Sequence, residues 1–533
     1  MAMITGSNDN RKEWDRLWQI VNTNPTDFVS WTLLLQSCKH MNSIESIREV
    51  YNAFLSHYPY CYVYWKKFVE FELQMSNESN AFDVLERAVT SFPISIDIWI
   101  YFIQQLIHLN KKDNEIIVLF ERAIKLCGNN YNSGDLWSLY VNWLRTRQDL
   151  SEVTFLYDRL LEIPVNSLCQ HFDDFMSFVN QNNPICILTT KEYNRYNSKY
   201  MDLINNNNIN SETNEFKKTQ ENSSHLNGKN LEESDTKIVF IRQMIINERK
   251  LIFKSTLKEM EERRYFEDNI KRPYFHVNPL DITQLDNWTK YLNWEISRNN
   301  DCNVILLFER CMVSCALYEF MWVRYSNYLI DKRYEMMRTG KEFFENFDIN
   351  AIRSVFRRAT QIHMKKSFKI HNLWALFEER EGNFDEALKI LDKFQLDNPY
   401  LIESILSKIH LYHRRGDVNQ VKDLFQTSID KFKEYPKLCA HLSIRFSRFL
   451  FKVLKDTESA VDVLNSALKT DPNNYIIYLR LIDIEYQKRD INSTKIEHLF
   501  DNLIASTQSL ALKISMTQRK LEFMQDFGFD CEK

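Results

Sequence analysis

The chain has 533 residues, of which 44% are hydrophobic and 14% aromatic, with only 8 Gly and 10 Pro. So few breakers among so many aliphatic and charged residues point to an all-helical chain, one too long for a single ordinary core unless it is built from stacked repeats. A net charge of −4, from 68 basic and 72 acidic residues, gives no overall basic excess of the kind a dedicated nucleic-acid binder carries.

The N-terminus MAMITGSNDNRKEW lacks the apolar core of a signal peptide, and no run approaches a membrane span. The ten cysteines form no C-x-x-C pair and suit a reducing compartment, cytosol or nucleus. Cys311 and Cys315, one helical turn apart, read as small core residues rather than a metal or redox pair.

From residue 11 to 180 a couplet recurs. Trp65, Trp99 and Trp137 each open a helix and are followed about 22 residues later by Arg87, Arg122 and Arg159, within Leu-Glu-Arg-Ala, Phe-Glu-Arg-Ala and Tyr-Asp-Arg-Leu. Trp31, Trp65 and Trp99 recur at a step of about 34 residues, and Trp137 follows at a slightly longer one. A fixed period of this length predicts stacked helix pairs. Ser43 is the expected N-cap of the helix carrying Ile47, Val50, Tyr51 and Phe54, and Pro59, Pro93 and Pro164 punctuate the units.

Residues 181–236 are Asn- and Ser-rich and read as a disordered linker. Residues 237–271 carry no Gly or Pro and predict one long connecting helix that ends at Arg272-Pro273. The C-terminal array spans 272–533. Trp288 leads to Arg310 at the same separation as in the first array, and Trp322 follows Trp288 at the same repeat step. The step from Trp322 to Trp374 is longer, with an extended helix end or insertion before Arg358. Gly382 and Gly416 are expected in the left-handed conformation just past helix ends. Together the arrays predict on the order of a dozen helix pairs.

A Glu-Arg in every repeat is not an active site. It is expected to set helix register by pairing each Arg with a carboxylate on the companion helix, such as Glu72 or Glu295. The structural core is thus predicted from Trp31, Trp65, Trp99, Trp137, Trp288, Trp322 and Trp374 with Arg87, Arg122, Arg159, Arg310 and Arg358. The spacing favours these Trp as core knobs over platforms for RNA bases. His410 and His413, near Arg414, complete no metal motif, and no phosphate loop or nucleophile elbow is present. No catalytic residue, metal site or cofactor is predicted. Arg263-Arg264, Lys271-Arg272 and Lys365-Lys366 read as solvated helix surface rather than RNA contacts.

The couplet, Trp-x-x-aromatic followed by aromatic-Glu-Arg-Ala, resembles the half-a-TPR (HAT) repeat. The block RRYFEDNIKRPYFHVNPLDITQLDNWTKYLNWE, its continuation LLFERCMVSCALYEFMWVRYSNYL, and Gln518–Phe523 with Asp526-Phe527-Gly528 resemble the pre-mRNA-processing factor 39 family. That resemblance implies a right-handed α-α superhelix in two arrays and a non-catalytic nuclear scaffold of pre-mRNA splicing. It implies association with U1 snRNP proteins in 5′ splice-site recognition and alternative splicing, with indirect contact to pre-mRNA or snRNA. It further implies a homodimer, or a heterodimer with a related HAT protein, formed through the C-terminal repeats. Arg519, Phe523 and Phe527 are the candidate dimer contact, the alternative being that they close the last repeat. The rival readings are a HAT scaffold of mRNA 3′-end cleavage and a direct single-stranded RNA-binding protein.

Overall fold

The computed structural model describes residues 2–38, 43–75, 77–205, 229–340, 347–488 and 491–527, with the side chains of 12–203 and 236–527 within those spans. The described residues are predominantly helical and contain no strand. No helix among them is long and apolar enough to cross a membrane. The chain divides into two compact units, Met1–Ala351 with Gln361–His363, and Ile352–Thr360 with Met364–Lys533.

The first unit opens with the helix Ala2–Thr23 and then runs in antiparallel pairs. These are Phe28–Ser37 with Ile44–His57, Tyr62–Gln74 with Glu78–Ser91, Ile96–His108 with Asp113–Cys127, and Gly134–Thr146 with Leu150–Leu161. Short polar side chains start the helices by satisfying first-turn amides: Asp27 accepts from the Ser30 N–H, Ser43 from Ser46 as expected, and Asn77 from Asn80. Asn110, Gln148 and Asn299 take positive φ (46°, 59° and 57°) in turns between helices. Non-glycine residues thus fill left-handed positions, and the chain manages with few glycines. Gly382 and Gly416 adopt φ of 82° and 89°, as their place past helix ends predicts.

The structure corrects the expected linker at 181–236. Pro184–Ile187 and Thr190–Asn205 are helical, and the long helix starts at Lys229. Residues 206–228 lie outside the described part. The helix 190–205 escapes a composition-based reading because its partner is distant. Tyr196 is fully buried, and its hydroxyl donates to Glu248 at 2.6 Å.

The long helix, Lys229–Glu267, ends four residues before the expected stop. Gln284 terminates it: its Oε1 accepts from the Lys271 N–H at 3.0 Å, and its amide donates to the Asn269 carbonyl at 2.7 Å. That helix does not separate two compact bodies. It packs on helices 150–161, 168–181 and 190–205 and leads into Ile282–Ser297 and Asp301–Ser314, all in one unit. The boundary between units falls near residue 351 instead.

The long step from Trp322 to Trp374 is accounted for partly by an extended helix, Glu319–Thr339, which Gly340 ends at φ 66°. The second unit continues with Phe368–Arg380 and Phe384–Asp397, Ile402–Arg415 and Val418–Lys431, Pro436–Lys452 and Thr457–Thr470, and Tyr475–Tyr486 and Ser493–Ser506. It ends with Leu510–Phe527.

Candidate functional site

Trp31, Trp65, Trp99, Trp137, Trp288 and Trp322 are all 3% exposed or less. An indole buried this deeply needs a partner for its N–H. The indoles of Trp31, Trp65 and Trp99 donate to the carbonyls of Pro25, Pro59 and Pro93, at 3.0, 2.8 and 2.7 Å. Trp322 donates to Ala316 at 2.8 Å, again six residues upstream. Trp137, whose repeat is four residues longer, reaches Gly128 at 3.0 Å instead. The Pro-x5-Trp spacing is a sequence signal for this tie, alongside the Trp period. Trp288 breaks the rule, because its buried N–H makes no hydrogen bond among the described residues. Trp374 is only half-buried and donates to Glu378 Oε1 at 3.1 Å.

The arginines find different partners from those expected. Arg122 reaches Glu86 at 2.8 Å, Arg159 reaches Glu121 at 2.8 Å, and Arg87 reaches the Asn52 amide oxygen at 2.9 Å. Each therefore bonds back to the second helix of the preceding pair, forming a ladder from repeat to repeat. The same guanidiniums lie over the tryptophans of their own repeats, Arg87 at 5.8 Å from the Trp65 ring, Arg122 at 5.2 Å from Trp99 and Arg159 at 5.6 Å from Trp137. This cation–π contact explains the near-constant Trp-to-Arg separation. Glu72 and Glu295, predicted as partners of these arginines, are held by Arg48 (2.7 Å) and Arg263 (3.1 Å) instead.

Deeper pairs mark where the pattern changes. Arg310 bonds Glu267 at 2.6 and 2.7 Å with both side chains buried. Burial opposes the Arg310 charge, but Glu267 and Tyr291 more than offset it, so its pKa is held above the ordinary value. Arg358 sits half-buried at the start of a π-helical turn, Arg358–His363. The guanidinium that grips the next helix is that of Arg353, bonded to Glu378 at 2.7 and 2.6 Å. Asn383 adds a bond at 3.1 Å. Burial works against the Glu378 carboxylate, yet Arg353, Trp374 and Asn383 together lower its pKa.

No group of three or more His, Cys, Asp or Glu among the described residues has the placement to hold a metal. Cys311 and Cys315 are both buried, and burial, then Cys315, pushes the Cys311 thiol well up, so it stays protonated. A cleft of about 510 Å³ in the first unit is lined by Tyr131, Asn166, Met260, Arg264, Glu267 and Arg310. Its Arg310–Glu267 pair is already satisfied internally.

Of the C-terminal candidates, Arg519 is exposed, Phe527 is 46% exposed and Phe523 is buried. Phe523 packs edge-on to Tyr486 at 5.2 Å and beside Phe500 at 6.3 Å, so it closes the last repeat rather than standing free. The exposed apolar residues of this helix are Leu510, Ile514, Leu521 and Phe527.

Helix pairs tied by buried tryptophans and laddered arginines define a HAT-repeat protein, and two family models match accordingly, the PRP39 N-terminal HAT repeat over residues 15–177 and the PRP39 C-terminal HAT repeat over 261–415. Pre-mRNA-processing factor 39 of Xenopus laevis is 32% identical over 532 residues, covering 98% of this chain and 78% of the relative. Its Homo sapiens counterpart is 33% identical over 528 residues, covering 98% and 76%. The chain belongs to the pre-mRNA-processing factor 39 family. The U1 small nuclear ribonucleoprotein component PRP42 of Saccharomyces cerevisiae is 20% identical over 391 residues, 72% of this chain and 68% of that one. The crystal structure of CstF-77 aligns with a TM-score of 0.47 at 12% identity, covering 87% of this chain and 89% of that chain.

Proposed function

We propose that this protein is a non-catalytic nuclear scaffold of pre-mRNA splicing. In this reading it associates with U1 snRNP proteins, serves 5′ splice-site recognition and alternative splicing, and dimerises through its C-terminal repeats. The observation that carries the reading is 32% identity to a pre-mRNA-processing factor over 98% of the chain. The weaker likeness to a U1 component supports the choice of partner. Support for a scaffold also comes from the charged residues of the ladder, which are occupied in holding repeats together. Support for a C-terminal contact comes from Leu510, Ile514 and Leu521. They are 73%, 52% and 55% exposed on the helix Leu510–Phe527, an apolar row that a partner surface would cover. A dimer would hold two copies of the N-terminal repeats together and raise the effective concentration of linked partners.

The test is purification of the tagged full chain from nuclear extract, scoring U1 snRNA and U1 proteins against the other spliceosomal RNAs. Selective enrichment of U1 is the expected result. Recovery of cleavage factors without U1 would overturn the reading. Light scattering of the full chain and of a form ending near residue 510 tests the dimer. A mass near twice 64.1 kDa that halves on truncation is expected, and a monomer in both cases would remove that part of the proposal.

A further inference from the structure

The helix Pro436–Lys452, in the second unit, reads PKLCAHLSIRFSRFLFK and contains no Asp or Glu. In a chain whose acidic residues outnumber its basic ones, this helix carries a net charge of +4, from Lys437, Arg445, Arg448 and Lys452. These four and His441 are spaced four, four, three and four residues apart, which places all five on one helical face. All five are exposed, while the opposite face buries Cys439, Leu442, Phe446, Phe449 and Leu450 in the core. The row extends about 22 Å at 1.5 Å per residue.

None of the five is ion-paired among the described residues, and Lys452 donates to the neutral amide of Gln487. Like charges one turn apart repel one another and weaken a helix, so this row lowers the stability of the element that bears it. The cations of the neighbouring helix Ile402–Arg415, by contrast, are each paired with a carboxylate, Lys408 with Asp392, Arg414 with Glu379 and Arg415 with Asp417. The His413 ring lies 5.3 Å from that of Phe449. Burial, then Arg414, Arg445 and His413, depress the His410 pKa, and all three of those neighbours are cationic or become so on protonation.

We propose that the stripe Lys437–His441–Arg445–Arg448–Lys452 binds the sugar–phosphate backbone of single-stranded RNA without reading its sequence. A cationic row along one helix is the electrostatic footprint of such a contact, and the arginine forks match phosphate oxygens. No large apolar side chain is exposed anywhere on the helix. Between Lys437 and Lys452 the helix thus presents charge rather than apolar anchors, with the exposed Tyr435 and Tyr400 at its N-terminal end. This goes beyond the scaffold reading, in which contact with RNA is indirect, and it does not depend on which ribonucleoprotein is bound.

The test uses the full chain and a fluorescein-labelled 20-nucleotide oligouridine, with anisotropy titrations between 50 and 200 mM KCl. Four permanent cations on a single strand predict a slope of log K against log salt near about −3, from ~0.7 per phosphate neutralised. Arg445→Gln with Arg448→Gln should reduce that slope by about 1.4 and weaken binding roughly tenfold, with an unchanged circular dichroism spectrum. Arg445→Lys with Arg448→Lys should keep the slope. Lys250→Gln with Lys254→Gln, an exposed pair in the first unit, should leave binding unchanged. Absent binding, an equal loss in the Lys250/Lys254 variant, or an unaltered slope in the Arg445/Arg448 glutamine variant would overturn the proposal. Displacement by a 20-residue oligoglutamate as effective as that by unlabelled RNA would overturn it in favour of an acidic polypeptide.

Discussion

Arg249 grips Asp158 with two hydrogen bonds of 2.9 Å, across 91 residues of sequence. Asp158 occupies the acidic position of Tyr-Asp-Arg-Leu, equivalent to Glu86 and Glu121 in the two preceding repeats. Glu86 and Glu121 accept from Arg122 and Arg159 of the following repeat. Arg249 thus supplies the next rung of the ladder from the long helix Lys229–Glu267.

Arg249 is buried, and it also donates to Tyr196 at 2.7 Å and to Glu192 at 3.3 Å. Arg249→Ala would leave the partly buried Asp158 carboxylate without its donor and strip one hydrogen bond each from Tyr196 and Glu192. The expected loss is about 3–5 kcal/mol, localised by hydrogen exchange to helices 190–205 and 229–267. Arg122→Ala removes a half-exposed rung and should cost about 0–1 kcal/mol. Equal losses in the two variants would show that burial does not grade the ladder.

Trp99→Ala removes a fully buried indole together with its bond to Pro93. The expected cost is about 3–5 kcal/mol by chemical denaturation. Trp374→Ala, at a half-buried position, should cost clearly less, although it also strips one hydrogen bond from Glu378.

Acid should destabilise the protein in two windows. Burial lowers the pKa of His171 and His371 below 6.5. A depressed folded pKa means stability is present above the unfolded value and lost as pH falls, so the first decline begins near pH 6.5. Glu378 and Glu485 are lowered below 4.5, burial being outweighed by Arg353, Trp374 and Asn383 at the former and by Lys488 and Lys495 at the latter. Their contribution is present above 4.5 and lost below it. Thermal melts of Glu378→Gln should show a flatter acid limb below pH 4.5 than the parent and an unchanged limb near pH 6.5.

Thiol reactivity should follow burial. Cys169, Cys186 and Cys302 are exposed. Burial pushes the pKa values of Cys38, Cys61 and Cys127 up to about 12. Iodoacetamide followed by peptide mass mapping should label the first three in the native protein and the second three only after unfolding. Native labelling of Cys127 would contradict the packing of its helix.

The Trp period, the Ser43 cap and the left-handed Gly382 and Gly416 are legible in the sequence because each rests on a repeated spacing or on residues within a turn or two. What the carboxylates hold is not. Glu72, Glu295 and Glu378 are paired to Arg48, Arg263 and Arg353, residues 24 to 32 positions away, and no local rule distinguishes these arginines from the ones in the repeat motif. The helix 190–205 is hidden for a related reason. Its polar composition reads as disorder until Tyr196 and Glu192 meet the buried Arg249.

Periodicity and motif are written one residue at a time, and from them alone follow the helical repeat array, the inward-facing tryptophans and the family resemblance. Packing settles which arginine meets which acid and where the compact units divide. It also buries Phe523 against Tyr486 and Phe500 and leaves the row from Lys437 to Lys452 without an ion pair among the described residues. Those outcomes depend on distances between segments that lie far apart in the chain, and such distances exist only once the helices have packed.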